Sequence, residues 1–173
     1  MAVLHIFDFD DTLVSSDSNV VIKHEDGTTS VLPSDAYATY DEQPGDEMDF
    51  SEFDSYPKNA EIIQEVFEEL KLAINSDGKS AVLILTARSN PEPVRQFMND
   101  HGLSDISVHA VGSSDPRDKA KFVLSKLKES KIDLIRVFED NARNIRAIRK
   151  VVKENGETKL QTYRVVEGEI YTR

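Results

Sequence analysis

Asp8, Asp10, Asp11 and Thr12 fall within five residues, immediately after an apolar run. Alone, an Asp-x-Asp-x-Thr segment can be a set of turn caps, because short acidic side chains bond their own backbone. It can also place two carboxyls on one side of an extended segment, where alternate side chains align. A calcium loop of the EF-hand type starting at Asp8 is excluded, since its sixth position is Leu13 where glycine is required. Three further polar groups follow apolar runs: Thr86-Ala87-Arg88, Gly112-Ser113-Ser114 leading to Lys119, and Glu139-Asp140-Asn141. The chain has no cysteine, so thiolate nucleophiles, disulfides and cysteine zinc sites are excluded.

The elements that must carry these groups are legible in the pattern. Val3 to Phe7, Ala81 to Leu85, Ile106 to Val111 and Leu134 to Phe138 read as buried strands. Between and after them, helical spacing predicts helices over about Asn59 to Asn75, Pro91 to Gly102, Pro116 to Lys128 and Ala142 to Asn155. Leu160 to Val166 and Glu169 to Tyr171 close the chain as a hairpin across Glu167-Gly168. Alternation of this kind predicts an α/β fold: a three-layer, Rossmann-like parallel sheet with helices on both faces. Ligands in such sheets bind beyond the carboxyl ends of the strands, where each polar group falls.

With 173 residues, of which 39% are hydrophobic and 31% charged, one domain is expected, burying about 70% of its unfolded surface. The formal net charge of -11 argues against a general binder of phosphate backbones, which needs clustered Lys and Arg. The acid is concentrated. Between His24 and Pro57 there are ten acidic residues and no Lys or Arg, and the rest of the chain is close to neutral. Within this stretch, Val20 to Lys23 and Thr28 to Leu32 flank Glu25-Asp26-Gly27, a hairpin signal. Residues 33–57 carry Tyr37, Tyr40, Phe50, Phe53 and Tyr56 without a readable period, and their acids read as a solvated loop surface. The N-terminus lacks a basic segment and Asp8 breaks its apolar run, so neither signal peptide nor membrane span is expected. A cytoplasmic location follows as the expectation.

Asp8-x-Asp10-x-Thr12, Thr86, Lys119 and Glu139-Asp140, in this order and at these strand ends and helix starts, resemble the four motifs of the haloacid dehalogenase (HAD) superfamily. The resemblance covers a single domain over 1–173, with 14–57 as a hairpin flap plus a small acidic cap insert after the first motif. It implies a Mg²⁺-dependent phosphomonoester hydrolase in which Asp8 is the nucleophile and Asp10 the acid and base. Asp8, the backbone carbonyl of Asp10, and Asp140 would hold Mg²⁺, while Thr86 and Lys119 would grip phosphoryl oxygens. Lys121 rivals Lys119, Glu139 is either a ligand or a residue behind one, and Asn144 stands where the family often has a further acid. Arg88 either meets a second anionic group of the substrate or pairs with one of the surface acids. The implied partner is a phosphorylated substrate, a small molecule or a nucleic-acid end, since a small cap usually leaves the site open. The second of these follows from a likeness to the phosphatase halves of polynucleotide kinase-phosphatases, with Arg88, Arg95 and Arg117 lining the approach. A receiver-like module, switched by a phosphorylated aspartate, is a further alternative, although receivers carry their nucleophile after the third strand.

Overall fold

The structure, a computed structural model, describes residues 1–172. Its body is a six-stranded sheet built, in chain order, from β1 (Val3–Phe7) and, beyond an insert, further strands that alternate with helices. The insert contains β2 (Val14–Ser15), β3 (Asn19–Lys23), β4 (Thr29–Pro33), α1 (Ser34–Tyr37), β5 (Glu47–Asp49) and β6 (Glu61–Ile62). The body continues with α2 (Gln64–Asp77), β7 (Val82–Thr86), α3 (Glu92–Asp100), β8 (Ser107–Ala110), α4 (Pro116–Glu129), β9 (Leu134–Glu139), α5 (Ala142–Asn155), β10 (Lys159–Val166) and β11 (Glu169–Thr172). The sheet order is β11-β10-β9-β1-β7-β8, parallel throughout except for the terminal β10–β11 hairpin. It is a mixed α/β, Rossmann-like arrangement.

Alternation along β1 divides the core. Leu4 and Ile6 join Leu83, Leu85, Ile135 and Val137 under Val123 of α4 and Ile148 of α5. Phe7, with Ile84 and Phe138, faces Val66, Phe67 and Leu70 of α2 and Val94 and Phe97 of α3. Phe7, Phe138 and Tyr163 stack across β1, β9 and β10 with ring centroids 4.5 and 4.4 Å apart. His5, inside an apolar strand, is buried but paired: it meets Asp77 Oδ2 at 2.7 Å and Arg136 Nη1 at 3.1 Å. Each helix packs one apolar stripe against the sheet, and that burial holds the strand ends in place.

The insert differs from its expected form in two ways. The helix expected from Asn59 begins only at Gln64, because Val14 and Ser15 pair antiparallel with Ile62 and Glu61, closing the insert at its stem. Asn59 takes a positive φ of 49° and its side chain donates to Asp17, so this stretch turns into the stem before the helix can start. Second, residues 33–57 are not merely irregular. The expected β3–β4 hairpin is extended by β5 into a three-stranded sheet, whose Val20, Ile22 and Phe53 form a small core with Leu32, Tyr37, Tyr40 and Met48. Most of its acids are exposed as expected. Asp46 is drawn inside, where it accepts from Tyr40 Oη, from Gln43 N at 2.8 Å, and meets His24 Nδ1, also at 2.8 Å. These bonds hold its carboxyl below the usual range, that from Tyr40 most of all.

Candidate active site

Chain order runs outward from β1 through β7 to β8 and then returns to β9 on the other side of β1. The strand ends of β1 and β9 therefore diverge at a topological switch point, the place where α/β sheets open a crevice. A cleft of about 540 Å³ lies there, lined by Asp8, Asp10, Asp11, Arg88, Lys119, Glu139 and Asp140, and covered from the far side by the insert.

Asp8 follows the last residue of β1, and its N–H still donates to Phe138 O at 2.9 Å, so its backbone is an extension of the sheet. Its carboxylate accepts from Lys119 Nζ at 2.9 Å and from Thr12 Oγ1 at 3.0 Å. Lys119 reaches the site from the first turn of α4, which Asp115 caps by accepting from the Arg117 N–H. The same ammonium donates to Glu139 Oε2 at 2.9 Å. Burial works against the Lys119 charge, but the carboxylates of Asp8 and Glu139 outweigh it and raise its pKa. Lys121 is exposed, so of the two lysines it is Lys119 that lines the cleft.

Glu139 ends β9 and Asp140 follows it, just ahead of α5, which Asn141 caps. Glu139 is fully engaged: Oε2 takes Lys119, and Oε1 takes Asn144 Nδ2 at 2.9 Å and Asn141 N at 3.4 Å. It is thus a residue that fixes Lys119, and Asn144 is its donor. One ligand atom each of Asp8, Glu139 and Asp140 lie within 4.8 Å of one another. Burial, with the charge of Asp8, lifts Glu139 to about 7, and burial with Asp8 and Glu139 lifts Asp140 well above the carboxylate range. Only two of these three carboxylates pair with the Lys119 ammonium, and the remaining hard oxygen donors are of the kind that could hold a divalent cation.

Asp10 stands apart from that trio, with its carboxylate gripped at both oxygens by Arg88, through Nε and Nη2 at 2.8 Å each. Arg88 Nη1 donates to the insert, to Phe53 O at 2.7 Å and Ser55 O at 3.0 Å, and the guanidinium lies over the rings of Phe9 and Phe53. Arg88 takes neither role in the form expected: it pairs with an acid, but with Asp10 inside the cleft and not with one at the surface. Thr86 ends β7 fully buried, outside the lining of the cleft; its hydroxyl accepts the Arg88 N–H at 3.2 Å, leaving its own proton to donate. Asp11, to which the sequence assigns no role, also lines the cleft. It adopts φ 61°, a left-handed conformation that Asp tolerates, accepts a hydrogen bond from Ser34 at the start of α1, and is lifted to about 7, chiefly by burial. Its signal was the unbroken Asp10-Asp11 pair.

No family model, curated protein or solved structure matches this chain. Among the described residues no helix is long and apolar enough to cross a membrane. Fold and site together define an α/β protein with a carboxylate-rich cleft, suited to a cation, at the switch point of its sheet.

Proposed function

We propose that the chain is a Mg²⁺-dependent phosphomonoesterase of the haloacid dehalogenase type, working through an aspartyl-phosphate on Asp8. The supporting observation is the Asp8 carboxylate itself: it is buried at a strand end, oriented by Lys119 and Thr12, and set among Glu139 and Asp140. In the first step an Asp8 oxygen attacks phosphorus, the bond from phosphorus to the leaving oxygen breaks, and that oxygen takes a proton from Asp10. In the second, Asp10 takes a proton from water, the hydroxide attacks phosphorus, and the bond to Asp8 breaks, releasing inorganic phosphate. The Arg88 fork belongs to the ionised form of Asp10, the form this second step uses; donation in the first requires the protonated form.

Lys119 would grip the phosphoryl oxygens as charge grows on them, while Thr86, behind the lining, holds the Arg88 backbone N–H. Asp8, Asp140 and the backbone carbonyl of Asp10 would hold Mg²⁺, which when bound supplies positive charge for those oxygens. The test is release of inorganic phosphate from a panel of nucleotides, sugar phosphates, phosphoamino acids and phosphorylated oligonucleotides. Release from at least one with Mg²⁺, and from none with EDTA, is expected. A panel left intact in the presence of Mg²⁺ overturns the reading.

A further inference from the structure

The two walls of the cleft differ in chemistry. The body side carries the carboxylates and Lys119; the insert side presents Val20, Tyr37, Met48, Phe50 and Phe53. Tyr37 and Phe50 meet edge to face with centroids 5.5 Å apart, and Phe50 keeps 37% of its surface exposed although it lines a cleft. Four contacts hold this wall over the site. Tyr37 Oη lies 3.4 Å from Ser114 Oγ, Arg143 Nη2 donates to Tyr40 O at 3.1 Å, and Arg88 donates to both Phe53 O and Ser55 O. The insert thus bridges the loops after β7 and β8 and the start of α5, and what fits beneath is of small-molecule size: about 540 Å³, against roughly 300–1,000 Å³ for small-ligand pockets. Two of the cleft's three cations, Arg88 and Lys119, are already paired with carboxylates, the third, Arg143, donates to Tyr40 O, and Glu42 and Asp54 add negative charge on the insert side. A second phosphate would meet more carboxylates than cations there.

Resting on the phosphatase reading above, we propose that the substrate is a free small molecule with one phosphate, whose leaving group carries an uncharged planar ring seated against Tyr37 and Phe50. The test compares kcat/KM, with Mg²⁺, for adenosine 5′-monophosphate, phosphotyrosine, glucose 6-phosphate, adenosine 5′-diphosphate and a 5′-phosphorylated oligonucleotide. At least one of the two ring-bearing monophosphates is expected to exceed glucose 6-phosphate and the diphosphate by about tenfold, and the better of the two identifies the source of the ring. Phe50→Ala, at an exposed position, is expected to keep the circular dichroism spectrum and to narrow the ring-to-sugar ratio about tenfold. The inference alone is overturned if glucose 6-phosphate or the oligonucleotide end is the best substrate, or if Phe50→Ala leaves that ratio unchanged. Hydrolysis of none of the five removes the phosphatase reading and this inference with it.

Discussion

Replacing Arg88 by Met leaves Asp10 without its fork and two carbonyls of the insert without a donor. Because the guanidinium is almost wholly enclosed, with its side chain 1% exposed, the loss should approach that of breaking a buried ion pair, about 3 kcal/mol in urea denaturation. Arg88→Lys keeps the charge but not the planar two-pronged geometry, and should recover less than half of it. Lys119 and Lys121 offer a paired comparison on one helix. Lys119→Met strips the paired ammonium from Asp8 and Glu139, whereas Lys121→Met changes an exposed side chain and should shift stability by no more than about 0.5 kcal/mol. Equal effects at the two positions would contradict the placement of the site. Asp8, Asp10 and Asp140 stand out in the sequence because each closely follows an apolar run, whereas Lys119, inside a polar stretch, is singled out by the resemblance alone. The engagement of Arg88 was not, since its partners lie 35 and 78 residues away along the chain.

At the scale of elements, the caps of α4 and α5 set the direction from which Lys119 and Asp140 meet the strands. Asp115→Ala removes the acceptor for the Arg117 N–H and should cost about 1 kcal/mol, seen as a lower urea midpoint with unchanged slope. The strands of the parallel sheet were readable because strands buried on both faces are apolar along their length, and the helices because they repeat every three to four residues. The stem strands β2 and β6 have two residues each, too short for any period, and β5 (Glu-Met-Asp) is an acidic segment whose pairing with β3 is decided by packing of Met48 on the insert core. Tertiary context overrode pattern in both places. Asp46, an apparent surface acid, became the anchor of His24 and Tyr40 for the same reason.

For the whole molecule, charge and metal are linked. Glu139 moves from the ordinary 4.5 to about 7 on folding, and Asp140 moves in the same direction, so the folded state holds protons that the unfolded state has released. A raised carboxyl pKa contributes stability that is complete below the ordinary value and is lost as pH rises through the folded one. Without Mg²⁺ the thermal midpoint should therefore fall as pH climbs from about 4.5 to 7. Added Mg²⁺ competes with the proton on its ligand Asp140, so its stabilisation should be larger at about pH 8 than at about pH 5. A metal effect of equal size at both would contradict a cation held by these carboxylates. The net charge of -11 is thereby divided between a cleft that a cation can neutralise and an insert whose acids border the entrance. The central claim is that Asp8 attacks phosphorus, and Asp8→Asn tests it most directly, since the amide keeps the shape and an oxygen to accept from Thr12 or Lys119. Measured on the phosphomonoester that the wild-type chain hydrolyses fastest with Mg²⁺, kcat should fall by more than about 10³-fold with the folded state retained. Turnover by Asp8→Asn at the wild-type rate would contradict it.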